Sequence, residues 1–229
     1  MSAPALSVVM PVHDEAADIL TALDALRPLR ARGVEVIVAD GGSKDGTPEL
    51  ARPLADLVLT APRGRASQMN AGAAAARGAV LLFLHADTHL PANADRLVLD
   101  GLRAGPVWGR FDVRIDGGGL FGLISSLMNL RSRLTGIATG DQAIFVTRAA
   151  FDASGGFPAI ALMEDVALSA RLKQLSTPLC LRARLTTSPR RWRKYGVART
   201  ILLMWQLRLR FYLGADPAKL ARAYGHAGN

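Results

Sequence analysis

The sequence predicts an α/β protein whose sheet is doubly wound, mostly parallel and flanked by helices on both faces. Two observations lead to this fold class. Short, continuously apolar runs alternate with helical patterns along the first half of the chain, and such runs are typical of parallel strands buried on both faces. Polar residues, many of them acidic, follow these runs directly. Because ligands bind outside the carboxyl ends of the strands in such sheets, we expect the functional site there.

The first half of the chain contains four predicted strands and three predicted helices. The strands are expected at Leu6–Met10, Val34–Ala39, Leu57–Thr60 and Ala79–Leu84. The helices are expected at Glu15–Leu29, Thr47–Pro53 and Ala66–Arg77. With 229 residues, 50% of them hydrophobic, the chain is long enough for one substantial domain with an appendage.

Charge and cysteine content narrow the class of protein. The net charge is +9, and residues 166–215 hold eleven Lys or Arg and no acidic residue. Such a block indicates a phosphate-bearing partner (a diphosphate, a lipid surface or a nucleic acid) or a solvated basic face. The single Cys180 excludes an intramolecular disulfide and suits a reducing compartment. The start of the chain lacks the basic segment of a signal peptide, so we expect a cytoplasmic location.

Acidic residues follow three of the predicted strands, within residues 11–15, 40–45 and 85–89. One acidic residue after a strand is usually a helix cap, but acids after three strands of one sheet favour a binding site. Asp40 ends its strand and can accept hydrogen bonds from a base or a ribose. Asp45 can instead cap the following helix, whose N-terminus favours anions.

Small and polar residues accompany these acids. Gly42 allows a positive φ and a close approach of the backbone to a ligand. In the next predicted helix, Arg65, Gln68 and Asn70 gather at the first turns. An alanine-rich helix of this kind is common, so the segment is a weak signal by itself.

The stretch "LLFLHADTHLP" ends a strand with His85, Ala86 and Asp87. His85 and Asp87 alternate along the chain, so they share one side of the strand. Hard cations prefer oxygen ligands and combine one or two carboxylates with substrate phosphates, and an imidazole suits Mn²⁺ better than Mg²⁺. These residues predict a divalent metal site. A neutral His85 that is hydrogen-bonded near the core is an equal alternative.

Four ordered motifs, "SVVMPVHDEA", "VIVADGGSKDGT", "FLHADT" and "GGFP…MEDVALSARL", resemble the family-2 glycosyltransferases over residues 6–175. The resemblance implies the GT-A fold, a nucleotide-diphospho-sugar donor of UDP or GDP type and a Mn²⁺ or Mg²⁺ ion held by Asp87. It implies a transferase domain at residues 1–185, with a nucleotide half up to 104, and a basic helical region at 186–229. The nucleotide site would comprise Pro11, Val12, His13, Glu15, Asp40, Gly42, Asp45, Arg65, Gln68, Asn70, Ala86 and Asp87.

The family's catalytic base lies in a Glu-Asp pair, which is similar to Glu164-Asp165 here. The pair precedes a helical pattern, so both carboxylates are expected near a helix N-terminus. A pair that only caps this helix is the alternative, and both roles are compatible. We expect Asp165 to be the base. Further contacts with the donor sugar or the acceptor are expected at Gly140, Asp141 and Gln142.

The C-terminal third combines a basic segment with an apolar helix. Arg190, Arg191 and Trp192 resemble part of an arginine-tryptophan motif near the acceptor, which implies contact with the acceptor or the diphosphate. The helix at 197–213 can lie in a membrane interface with its arginines reaching the headgroups. Packing on the domain or in a homodimer is the alternative.

We therefore expect an inverting, metal-assisted glycosyltransferase with a lipid or small hydrophobic acceptor, peripheral at the inner face of the membrane if the helix binds lipid. A sugar-phosphate nucleotidyltransferase is one rival, but "PVHDEAAD" lacks the glycine- and lysine-rich signature of that class. A phosphate- or nucleic-acid-binding module is another. With only 13 aromatic residues (Trp, Tyr and Phe) and no recognition motif, no nucleic-acid partner is expected.

Overall fold

The computed structural model describes residues 3–225, apart from the side chain of Arg191. Within this range eight strands form one sheet in the order β3-β2-β1-β4-β7-β6-β8-β5. The strands are β1 (Leu6–Val12), β2 (Glu35–Asp40), β3 (Leu57–Thr60), β4 (Val80–Phe83), β5 (Thr88–His89), β6 (Trp108–Ile115), β7 (Phe145–Thr147) and β8 (Leu179–Thr187).

Ten helices flank the sheet in the described part of the chain. They are α1 (Ile19–Arg30), α2 (Thr47–Ala51), α3 (Arg65–Ala75), α4 (Ala94–Arg103), α5 (Gly119–Thr135), α6 (Arg148–Ala153), α7 (Glu164–Leu172), α8 (Arg190–Tyr195), α9 (Val197–Tyr212) and α10 (Pro217–Gly225). A short 3₁₀ helix covers Gly140–Gln142. The predicted alternation of strands and helices in the first half is confirmed, with ends that differ by a few residues.

The sheet has a parallel half and a mixed half. β3, β2, β1 and β4 run parallel, and every residue of β1 and β2 is buried. Their side chains enter two hydrophobic cores, one on each face of the sheet. The short β7 then pairs antiparallel with both β4 and β6, while β6 and β8 are parallel. The predicted fold class is confirmed, although the second half is less parallel than the first.

The C-terminal helices pack on the α/β domain. Leu207 of α9 and Leu220 of α10 are buried in a third hydrophobic cluster together with Met163 and Val166. The boundary predicted at residue 185 stays a prediction, and the structure shows that β8 extends past it to Thr187. Within residues 3–225, no helix has the length and apolar character needed to cross a membrane.

One face of α9 nevertheless stays uncovered, and so does one face of α5. Leu202, Trp205, Leu209 and Tyr212 on α9, and Leu120, Leu123, Leu127, Leu130 and Leu134 on α5, are each at least 52% exposed. Their spacing of three and four residues puts each set on one side of its helix. α9 therefore packs on the domain, which was one alternative, and its exposed apolar face leaves membrane binding and a homodimer as predictions.

Candidate active site

A cavity of about 750 Å³ opens where β1 and β4 end, under the C-terminal helices. Its walls come from the β1–α1 loop, the start of α3, the loop after β4, and helices α5, α8 and α9. Twelve of the predicted site residues line it: Pro11, Val12, His13, Glu15, Arg65, Gln68, His85, Ala86, Asp87, Asp141, Arg190 and Trp192. The expectation that the site lies at the carboxyl edge of the parallel strands is thus met by residues from three separate loops.

The loop after β2 supports the cavity instead of lining it. The Asp40 carboxylate accepts hydrogen bonds from the backbone N–H groups of Gly42 and Ser43, and Gly42 adopts a positive φ of 84°. The Asp45 carboxylate accepts from Ala16 N and from Thr47, and these hydrogen bonds hold the pKa of Asp45 below its usual range. The loop therefore positions the start of α1.

Two polar residues of α3 tie elements together. Gln68 Nε2 donates to the carbonyl oxygens of Val12 and Ala39, at 2.6 and 2.9 Å, which fixes the ends of β1 and β2 beside the cavity. The Asn70 amide donates to Phe157 O and accepts from Phe157 N. Asn70 thus holds the turn before α7 and does not line the cavity, contrary to its predicted nucleotide role.

His85, Asp87 and Asp141 all lie in the wall of the cavity. Burial, together with the negative charge of Asp87, raises the pKa of the Asp141 carboxyl, although His85 and Arg65 oppose the shift. Burial and the positive charge of Arg65 lower the pKa of the His85 imidazole, which favours its neutral form. His85 faces the cavity, and both alternatives raised by the sequence, a metal ligand and a neutral histidine, stay predictions.

These residues fit a divalent cation that also binds substrate phosphates. Within residues 3–225 no group of three or more His, Cys, Asp or Glu is arranged to hold a metal by itself. Asp87 and Asp141 nevertheless face the same cavity, and the repulsion between their carboxylates is of the kind that a cation relieves. Mg²⁺ and Mn²⁺ sites of this type are completed by phosphate oxygens.

A smaller pocket of about 90 Å³ adjoins the cavity and contains the predicted catalytic pair. Arg65, His85, Asp141 and Arg208 line both spaces, so the two lie side by side. Asp165 lies at the start of α7, and its carboxylate accepts from Gly140 N and Val166 N, both at 2.7 Å. Two backbone donors therefore fix its orientation.

The backbone just before α7 is strained. Met163, the N-cap residue, has a φ of 71°, in the left-handed region that a side chain with a Cβ disfavours. Such strain persists where the surrounding structure holds it, often at functional sites. Here the buried Met163 side chain anchors the turn that presents Glu164 and Asp165 to the pocket.

The two carboxyls of the pair differ in environment. Glu164 is 5% exposed, and burial, together with the negative charge of Asp165, raises the pKa of Glu164 to about 7. Burial disfavours the charged form of Arg65, but the charges of Tyr224, Glu164 and Asp141 outweigh it and raise the pKa of Arg65. The Arg65 guanidinium therefore stays charged, and it lines both the pocket of the predicted catalytic pair and the larger cavity.

The other predicted contacts divide between these spaces and the core. Gly140 lies against the His85 imidazole and lines the smaller pocket. Gln142 is fully buried; its side chain accepts from Thr139 N and donates toward Asn129, so it supports the 3₁₀ turn and lines neither pocket. The physical reason is that the turn directs Asp141 outward and Gln142 inward.

Arg190 lies at the end of the cavity that the β1–α1 loop lines. It forms ion pairs with Asp18 at 2.7 Å and with Glu15 at 3.5 Å, which joins α8 to the β1–α1 loop. Trp192 is half-buried in the cavity wall. The predicted contact through the Arg191 side chain lies outside the part of the structure that is described.

Sequence reasoning missed two arginines of the cavity, Arg131 on α5 and Arg208 on α9. The sequence predicted only that the arginines of the helix at 197–213 reach headgroups, and it did not single out Arg131. The available signal was weak, because each helix carries further arginines and the side that faces the protein depends on packing.

The parallel sheet, the carboxylates at its edge and the adjoining second pocket define a GT-A-type α/β domain. The chain belongs to glycosyl transferase family 2, because the family model described as "Glycosyl transferase family 2" matches residues 7–155, more than half of the chain. This membership argues against the nucleotidyltransferase and the binding module as rival classes.

Individual relatives cover parts of the chain. Glycosyltransferase AglE of Haloferax volcanii is 34% identical over 93 residues, which are 37% of this chain and 31% of AglE. A mannosyltransferase of Pyrobaculum calidifontis, solved with GDP-Man and Mn²⁺, superposes with a TM-score of 0.64 at 20% identity, covering 99% of this chain and 70% of that one. S. aureus TarS 1-349 with UDP-GlcNAc gives 0.66 at 17% identity, over 80% and 58%. At these identities the two structures establish the shared fold.

Proposed function

We propose that this protein transfers a sugar from a nucleotide-diphospho-sugar to an acceptor hydroxyl with inversion at the anomeric carbon. The observation that carries the proposal is that the two pockets adjoin and share lining residues. The larger one offers Asp87 and the loop residues to a nucleotide diphosphate, and the smaller one offers a fixed carboxylate, Asp165. An acceptor placed between them meets a base on one side and the donor sugar on the other.

Asp165 acts as the general base in this reaction. It takes the proton from the acceptor hydroxyl while that oxygen attacks the anomeric carbon from the face opposite the departing diphosphate. Asp165 is better placed than Glu164, because two backbone N–H groups orient its carboxylate and its side chain is less buried. Glu164 is partly protonated near neutral pH, since burial raises its pKa to about 7.

Substitution of Asp165→Asn tests this role. Loss of a general base should lower the rate of transfer roughly 10²- to 10⁴-fold, while the affinity for the donor nucleotide stays nearly unchanged. The assay follows release of UDP or GDP from a panel of nucleotide sugars. Near-normal turnover of D165N would overturn the assignment. Release of pyrophosphate instead of a nucleoside diphosphate would restore the nucleotidyltransferase.

Asp87, with Asp141 and His85 beside it, would hold the divalent metal. The ion supplies charge neutralisation for the diphosphate that leaves. In the structures of fold relatives, Mn²⁺ accompanies GDP-Man in the mannosyltransferase of Pyrobaculum calidifontis. Calorimetric titration with UDP and GDP, with and without Mn²⁺, should show metal-dependent binding of one nucleotide that Asp87→Ala abolishes. Equal binding with and without metal would contradict the assignment.

We further propose that an anionic membrane surface covers the apolar face of α5 and α9, as the acceptor would be a lipid or a small hydrophobic molecule. Charge complementarity favours this occupant, since neither helix contains an acidic residue and each carries arginines. Two copies of such a face would repel each other, whereas anionic headgroups would attract it. Leu127 and Trp205 belong both to this face and to the cavity wall, so the cavity opens at the proposed membrane.

Sedimentation with vesicles tests the membrane face. The protein should bind phosphatidylcholine vesicles that contain phosphatidylglycerol and not pure phosphatidylcholine vesicles, and Leu123→Gln with Leu130→Gln should reduce binding. Leu20→Gln, an exposed leucine on α1, is the matched control. Equal binding to both vesicle types contradicts the charge argument. A homodimer in solution that the paired substitutions dissociate would identify a second copy as the occupant.

A further inference from the structure

Arg131 enters the wall of the cavity from α5 with its hydrogen-bonding edge unpaired. Its Nε and Nη2 atoms are shielded from solvent and reach no acceptor in the described structure. These two N–H groups point the same way, and together they form the edge of a guanidinium that binds a carboxylate or phosphate through two parallel hydrogen bonds. A buried donor without an acceptor costs free energy, about 1–3 kcal/mol and more when charged.

The same edge is satisfied in two other arginines of this protein. Arg30 donates from Nε and Nη2 to both oxygens of Asp56, at 3.1 and 2.6 Å. Arg32 does the same with Asp95, at 2.7 and 2.8 Å. Both pairs lie outside the cavity and serve the fold. Arg131 thus has the geometry of these arginines but lacks the oxyanion that completes it.

A second guanidinium lies close to the first. The positive charge of Arg208 acts on Arg131, and burial together with this repulsion lowers the pKa of Arg131 to about 10. Arg208 forms no ion pair within residues 3–225. The one acid whose charge favours Arg131, Asp165, accepts its hydrogen bonds from backbone N–H groups. Neither guanidinium therefore forms a direct ion pair within residues 3–225.

Their position assigns them to the acceptor. The arginine at the end lined by the β1–α1 loop, Arg190, is already neutralised by Glu15 and Asp18. Arg208 instead lines both the large cavity and the pocket of the catalytic pair, and Arg131 lies within electrostatic reach of Asp165. An anion between Arg131 and Arg208 would lie on the side of the cavity from which the acceptor approaches the base.

We propose that Arg131 and Arg208 bind an anionic group, a phosphate monoester or a carboxylate, carried by the acceptor. This inference rests on the proposed function in one respect, that the acceptor binds beside Asp165. The bound oxyanion accepts two hydrogen bonds from the Nε–Nη2 edge of Arg131, once the side chain turns that edge into the cavity, and it offsets the charge of Arg208. The apolar part of the acceptor then extends along α5 and α9 toward the exposed leucines.

Calorimetric titration with phenyl phosphate, benzoate and phenol tests the site in the full chain. Hydrogen bonds to charged groups are worth about 1.5–3 kcal/mol, so Arg131→Met and Arg208→Met should each weaken phenyl phosphate binding by about tenfold or more. Benzoate distinguishes a carboxylate site from a phosphate site. Arg210→Met is the matched control, since it removes the same charge from the same helix at an exposed position outside the cavity, and it should leave affinity within about twofold.

Several results would overturn the proposal: no binding of either anion to the wild type at millimolar concentration, equal affinity in Arg131→Met, or the same loss in Arg210→Met. Phenol should bind all variants alike. Arg131→Lys retains the charge without the bidentate edge and should bind weakly; it replaces the Met variant if that one fails to fold.

Titration of the same variants with UDP and GDP in the presence of Mn²⁺ separates the two proposals. Unchanged nucleotide affinity in Arg131→Met and Arg208→Met supports an acceptor site. Lost nucleotide affinity would show that the arginines contact the donor and would overturn the acceptor assignment. If the wild type binds no nucleotide, the proposed function fails, whereas the anion titrations still decide whether the arginines form a site.

Discussion

The proposed nucleotide end and the proposed acceptor end of the cavity differ in how their charges are paired. At the nucleotide end, Arg190 is paired with Glu15 and Asp18, and the aspartates of the loop after β2 accept several backbone hydrogen bonds. At the acceptor end, Arg131 has an unpaired edge, and Glu164 is buried with a pKa raised to about 7. The charged groups named at the first end are paired, although the buried Nδ1 of His13 there has no partner, whereas the second end holds an arginine edge without an acceptor.

The difference indicates at which end the binding of a ligand would gain free energy by giving partners to unpaired groups. A loop with satisfied hydrogen bonds gains little from a ligand beyond the new contacts, so the nucleotide end is a preformed surface. Unpaired groups lower the stability of the ligand-free protein, and an acceptor that satisfies them gains that free energy on binding. The strained backbone at Met163 belongs to the same end. The predictions below test this contrast.

The largest expected effect concerns the pH dependence of stability at Glu164. Its pKa is about 7 in the folded state, whereas an ordinary glutamate side chain has a pKa of 4.5. Between these two pH values the folded protein keeps a proton that the unfolded chain releases. Stability therefore falls as pH rises from about 4.5 to about 7, by up to about 3 kcal/mol in total. Glu164→Gln removes this loss. Urea denaturation should give similar stabilities for both proteins at pH 5 and a more stable variant at pH 8.

Asp152→Asn, at an exposed position on α6 outside both pockets, serves as the control and should follow the wild type. A Glu164→Gln variant whose stability changes with pH as steeply as that of the wild type would contradict the buried, protonated state of Glu164. The contrast between the two ends would then rest on the arginines alone.

A smaller effect is expected where the two ends meet, at Gly140. A Cβ at this position would collide with the His85 imidazole, whereas one at Gly122 on α5 would meet no atom within 4 Å. Overpacking of a buried site costs roughly 1–3 kcal/mol, so Gly140→Ala should destabilise the protein and weaken metal-dependent nucleotide binding. Gly122→Ala should stabilise α5 by about 0.5–1 kcal/mol. Equal thermal stability of the two variants would show that His85 moves aside at no cost.

The nucleotide end was largely predictable from the sequence. Local signals sufficed there: apolar runs predicted β1, β2, β3 and β4, and the residues that follow them gave Glu15, His85 and Asp87. All of these line the cavity, because the ends of adjacent parallel strands meet at one edge of the sheet. Asp40 and Asp45 were also found, although hydrogen bonding within their loop turns both carboxylates toward the backbone.

The acceptor end was only partly predictable. Glu164 and Asp165 were visible as a pair, but the partners that surround them, Arg131 and Arg208, come from helices whose placement depends on tertiary packing. The exposed leucines of α5 show the same limit: a leucine stripe at helical spacing predicts a buried face, and only the structure shows that this one is uncovered. Gln142 was misplaced because the direction of a side chain in a short 3₁₀ turn depends on its hydrogen bonds.

The smallest effect on stability is expected from removing Arg131, compared with removing an arginine whose edge is paired, Arg32. Arg32→Met takes both hydrogen bonds from Asp95, which is 5% exposed, and should destabilise the protein by about 1–3 kcal/mol. Arg131→Met removes a guanidinium whose edge is unpaired, so the fold should lose nothing and gain up to about 1 kcal/mol. Urea denaturation of both variants, without ligand, measures the difference. If Arg131→Met is as destabilising as Arg32→Met, Arg131 already has a partner in the free protein, and the acceptor end is as fully satisfied as the nucleotide end.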